Sequence, residues 1–153
     1  MRRWSRRESW VADRGSAPLE FLVAGLLLLL PTVYLILTMA QVQAGALAVE
    51  GAARHAARVF VRAASPENAT EAATNAIAFT LADYGIDPET STVQIDCAPN
   101  PADCLERRGF VTVSVSLSVP LPLAPTVLGA PAPLAVPLSA TATQQVSRFR
   151  VGG

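Results

Sequence analysis

Residues 21–40, FLVAGLLLLLPTVYLILTMA, carry no charged side chain, and this run constrains the chain more than any other feature of it. At 1.5 Å of rise per residue, about 20 helical residues span roughly 30 Å, the thickness of a bilayer's hydrocarbon core. A helix that is apolar all round can also be buried inside a large soluble protein. The rest of this 153-residue chain is too small to bury it, so the run reads as a membrane-spanning helix. Pro31, mid-run, lacks a backbone donor and predicts a kink or a loosened turn, which membrane helices tolerate. Arg2, Arg3, Arg6, Arg7 and Arg14 stand in residues 1–15 against only Glu8 and Asp13. The positive-inside rule then puts the N-terminus in the cytoplasm and the rest of the chain outside it. Arg54, Arg58 and Arg62 weaken that contrast but begin well beyond the span.

Hydrophobic residues make up 51% of the chain and charged ones 16%, and the formal net charge is +0. Nucleic-acid binding needs a basic surplus on one face, and none exists beyond the extreme N-terminus, so no nucleic-acid partner is expected. Every basic residue is arginine, which removes Schiff-base chemistry and a phosphate-loop lysine. There is no Gly-rich phosphate loop, no G-x-S-x-G and no cluster of histidine with carboxylates. Asp83, Asp87, Glu89, Asp96 and Asp103 are scattered among turns, where capping accounts for them. The chain is expected to be no enzyme, with no cofactor and no small-molecule substrate. His55 is the only histidine and has no ligand at helical spacing, so no metal site is expected there.

Beyond the run, the helical pattern continues through QVQAGALAVEGAARHAARVFVRAA without a break signal. Val42, Ala46, Leu47, Val49, Ala53, Ala57 and Phe60 form a narrow apolar stripe, with Arg54, Arg58 and Arg62 on another face. Gly25, Gly45, Gly51 and the many alanines give a smooth surface that lets a second helix approach closely, or simply reflect composition. SPEN at residues 65–68 reads as a new helix start, with Ser65 as cap and Pro66 in the first turn. That helix runs to about Tyr84, burying Ala73, Ile77, Leu81 and Tyr84 on one face, and Gly85 ends it.

STVQID at residues 91–96 is a short strand. FVTVSVSLSVP at residues 110–120 alternates strictly, valines and Leu117 on one face and Ser/Thr on the other, and predicts a half-buried strand stopped by Pro120. Residues 121–137 read as a proline-punctuated connection and residues 138–149 as a final strand. The helix face is the obvious cover for the sheet's apolar side. Leu121, Leu123, Val127, Leu128 and Leu134 either fold over the sheet end or form a surface for a neighbouring subunit. Cys97 and Cys104 close a short loop outside the cytoplasm, where a disulfide persists. Their spacing is not that of a C-x-x-C redox or metal pair.

The residues before the span set its processing. VQA at residues 42–44 is a small-residue site of the signal-peptidase kind, but its apolar region is longer than usual for a signal peptide. On the other side, Gly15 and Ser16 precede APLE and the apolar run, with basic residues upstream. This stretch resembles the type IV prepilin signal, in which a membrane-embedded peptidase cuts after a glycine on the cytoplasmic face and leaves glutamate as the fifth mature residue. Cleavage between Gly15 and Ser16 makes Glu20 that residue. With the single apolar helix and the alanine-rich amphipathic continuation GALAVEGAARHAAR, the N-terminal third looks like the TadE-like minor pilins of bacterial tight-adherence (Flp-type) pilus systems. Ser16 and Pro18 depart from the aromatic and the flexible apolar residue usual at those places.

The resemblance implies a membrane-anchored minor pilin or pseudopilin that takes part in pilus assembly. Its partners would be the membrane, a prepilin peptidase, other pilins and pilus assembly proteins. Glu20 would pair with a neighbouring subunit's new α-ammonium and register one helix against the next, since an unpaired charge at the membrane boundary is poorly solvated. The alternative is an exported, soluble cell-envelope binding protein cleaved after Ala44. The expected fold is α+β: a basic leader over residues 1–15, a transmembrane and juxtamembrane helix over 16–64, and an extracytoplasmic domain over 65–153 made of one helix and a short antiparallel sheet.

Overall fold

The computed structural model describes residues 17–121 and 134–150. Gly15 and Ser16 lie outside these, as do Leu123, Val127 and Leu128. In chain order the elements are helix α1 (Ala17–Phe60), helix α2 (Pro66–Asp83), a 3₁₀ turn (Pro88–Thr90) and strands β1 (Thr92–Ala98), β2 (Phe110–Pro120) and β3 (Ala135–Gln145). The architecture is α+β, with a long apolar N-terminal helix, a second helix and a three-stranded antiparallel sheet of order β1-β2-β3. The chain forms two compact units, Met1–Leu37 and Thr38–Gly153. The boundary between them falls within α1.

In the first unit α1 shows large apolar side chains on all sides: Phe21 is 78% exposed and Leu28 72%. It is the one described helix long and apolar enough to cross a membrane. Pro31 sits inside it without ending it. One residue on, the Thr32 hydroxyl donates to the Leu28 carbonyl at 2.7 Å.

The second unit has one core. From α1 come Ala48, Val49, Ala52, Ala53, Ala56, Ala57 and Phe60, and from α2 Ala69, Ala73, Ile77 and Leu81. The sheet adds Val111, Val113, Val115, Leu117 and Ala142. The α1 stripe therefore differs from expectation in two places. Leu47 is 56% exposed and Ala46 also faces outward, while Ala48, Ala52 and Ala56 point inward. Alanine wins the inner face because the sheet's larger valines and leucine fill the space that small helix residues leave. Gly45 marks the limit: a Cβ there would stand 2.7 Å from Val119 Cγ2 and 2.8 Å from Leu138 Cδ1.

Both ends of α2 form as its sequence demands. The Ser65 hydroxyl accepts from the Asn68 amide at 3.3 Å, and Pro66 occupies the first turn, where its missing donor costs nothing. At the other end Gly85 takes φ +69°, its N–H donates to Ala82, and the Ile86 N–H reaches back to the Leu81 carbonyl at 3.0 Å. This is the Schellman arrangement that ends a helix on glycine. Tyr84 becomes the cap residue and is 44% exposed, so it leaves the inward face expected of it.

Strand β2 covers the alternating segment as expected, with Val111, Val113, Val115 and Leu117 buried. β1 runs two residues further than expected, taking in Cys97 and Ala98. β3 begins at Ala135, so Val136 and Pro137 belong to the strand and not to the connection. The register explains why proline is tolerated. Leu121 N–H donates to Leu134 and Val146 N–H to Gly109, each at 2.8 Å, so the even-numbered β3 residues bond to β2. Pro137 is odd-numbered, and its missing N–H falls on the side away from β2, where an edge strand has no ladder bond to lose.

Enlarging a buried alanine tests the packing. Ala53→Leu should lower unfolding stability by about 1–3 kcal/mol through overpacking, read as a lower denaturation midpoint of the full chain in detergent. Leu47→Ala, on the exposed face, should leave that midpoint nearly unchanged.

Candidate functional site

Glu20 lies in the first turn of α1, where a carboxylate complements the positive end of the helix dipole. Its side chain is exposed, and the one ion pair among the described residues is elsewhere, between Arg54 and Glu50 one helical turn apart. Gly25, a little further along, has nothing within 4 Å of where a Cβ would stand. Carboxylate, glycine and apolar side chains thus form a bare helical surface. Its chemistry suits contact with lipid and with another helix.

The second unit carries the Cys97–Cys104 disulfide, with Cα atoms 5.0 Å apart. Cys97, one residue before the end of β1, stands opposite Val111, and the loop returns to the core through Leu105, which is buried. The bond therefore ties the edge strand to the approach to β2. Asn100 and Asp103 side chains accept from the amides of Ala102 and Leu105 and shape the turn inside the loop.

Arg150 holds a second closure that sequence reading missed. Its guanidinium donates to the carbonyls of Val61 at 3.4 Å, Ala63 at 2.7 Å and Ala64 at 2.9 Å, just past the end of α1. The last carbonyls of a helix lack intrahelical partners, and a cation there also meets the negative end of the dipole. Arg107 Nε in turn donates to the Arg150 carbonyl at 2.7 Å, which connects the loop after the disulfide to the same clamp. A basic residue after the last strand gives no sign in sequence of carbonyls some 86 positions away.

The sheet's outer face is hydroxylated. Thr112 and Thr143 are bonded through their hydroxyls at 2.9 Å, and Ser114 and Thr141 at 3.0 Å. His55, Arg54 and Arg58 are exposed on α1, and Arg62 is exposed in the turn after it. No group of three or more His, Cys, Asp or Glu among the described residues is placed to hold a metal ion. Comparison with protein-family models, with curated proteins and with solved structures finds no match to this chain.

Two substitutions separate the closures. Replacing Cys97 and Cys104 together by serine should cost about 2–3 kcal/mol of stability, and reductant should then no longer shift the denaturation midpoint. Arg150→Met should cost about 1.5–3 kcal/mol. Its added hydrogen exchange should concentrate at residues 61–65.

Proposed function

We propose that the chain is a single-pass membrane protein acting as a minor pilin or pseudopilin in the assembly of a tight-adherence pilus or a related secretion system. Its N-terminus is cytoplasmic and its α+β domain extracytoplasmic. The observation that carries the reading is the construction of α1. One 44-residue helix opens with a carboxylate in its first turn, continues as a bare apolar rod, and supplies one wall of a folded domain's core with its last turns. A prepilin peptidase cutting after Gly15 would free an α-ammonium at Ser16. Glu20 of one subunit, pairing with the ammonium of the next, would set their helices in register at the membrane boundary, where the low dielectric makes an unpaired charge costly.

The disulfide suits an oxidising compartment outside the cytoplasm. The exported alternative, with cleavage after Ala44, fits less well. Residues 42–44 lie within α1, not in an extended segment, and the next residue, Gly45, is packed under Val119 and Leu138.

N-terminal sequencing of the protein recovered from cells that contain a prepilin peptidase tests this directly. Ser16 as first residue is the expected result. Gly45 would establish the exported reading, and an intact Met1 would leave a plain anchored protein. Glu20→Ala should leave cleavage intact and sharply lower recovery of the protein in assembled pili.

A further inference from the structure

Where α1 enters the compact unit, the other elements bring apolar groups to the same level. The unit begins at Thr38, the apolar run read as the span ends at Ala40, and Gln41 is the first polar residue past it. Gln41 lines a cavity of about 360 Å³ together with Tyr84, Ile86, Pro120 and Leu121. Leu121 bonds to Leu134 across the hairpin of β2 and β3, and Leu134 is 42% exposed. The hairpin runs along α1 with a fixed polarity. Val119 and Leu138 meet Gly45 at this end, and Arg150 reaches the carbonyls of Val61, Ala63 and Ala64 at the other.

We propose that this end of the unit is a bilayer-contacting surface, with Tyr84, Ile86, Pro120, Leu121 and Leu134 seated at the headgroup and upper acyl level of the membrane that α1 crosses. The inference rests on reading α1 as membrane-spanning. If residues 21–40 fill the hydrocarbon, Gln41 lies at the interface, and the groups sharing its cavity lie there too. Their chemistry fits: no residue from 109 to 147 is charged, and tyrosine, with an apolar ring and a polar tip, is favoured at that depth. Asp83 and Asp87 flank the patch, so the contact is apolar and gains nothing from anionic lipid.

Single-tryptophan variants of the full chain in vesicles test the proposal, in a background where Trp4→Phe and Trp10→Phe remove the native fluorophores. Leu28→Trp reports the span, Leu121→Trp and Leu134→Trp the proposed surface, and Phe149→Trp the far end. Zwitterionic vesicles with bromine near the headgroup end of the acyl chains should quench most of the emission of Leu121→Trp and Leu134→Trp. Phe149→Trp should stay unquenched, and neither high salt nor added anionic lipid should deepen the quenching. Quenching of Leu28→Trp by deeply brominated lipid, with Leu121→Trp and Leu134→Trp untouched, would overturn this surface while leaving the span standing. A blue-shifted but unquenched Leu121→Trp would overturn it in favour of a protein contact, such as a second copy. No quenching of Leu28→Trp by any lipid would overturn the spanning reading itself.

Discussion

The close approach of a sheet to a helix is the constraint on which this structure depends. A β2–β3 ribbon carrying valines and leucines can settle on α1 only if the helix yields volume, and the run of Ala48, Ala52, Ala53, Ala56 and Ala57 yields it. At Gly45 the approach is tightest, with Val119 and Leu138 occupying the place of any side chain. The core is therefore made by large residues from one partner and small ones from the other. α2 follows the same rule with Ala69 and Ala73, and adds Ile77 and Leu81 where there is room.

This arrangement gives α1 two different tasks along its length. The first part exposes large apolar side chains, while the last turns are integral to the folded domain. Under the pilin reading, one helix serves both helix association and the attachment of the domain. Arg150 strengthens the far end by bonding the carbonyls that follow the helix, and Arg107 ties the disulfide loop to the same point.

What was legible in the sequence followed from local rules with strong signals. The alternation of residues 110–120 marked β2, and Ser65 and Gly85 marked the bounds of α2, because strand periodicity and helix capping are properties of neighbouring residues. The inner face of α1 was less legible. Leu47 looked like core and is exposed, whereas Ala48, Ala52 and Ala56 are buried, since alanine is common on both sides of a helix and hydrophobicity alone does not choose. The start of β3 was hidden by Pro137, which reads as a stop unless the strand is known to lie at an edge. Arg150's partners depend on tertiary closure over most of the domain. Of the residues singled out for function, the pairing of Cys97 and Cys104 is seen directly, Glu20 is placed in the first turn of α1, and Gly15 and Ser16 lie outside the described residues.

Pro137 has a consequence for crowding. The outer rim of β3 offers donors and acceptors at Ser139, Thr141, Thr143 and Gln145, but the proline leaves a missing rung near its start. A stray strand from another molecule can zip along only part of that rim before the gap stops it. When copies are crowded together, fusion of their sheets into a continuous ribbon is thereby discouraged.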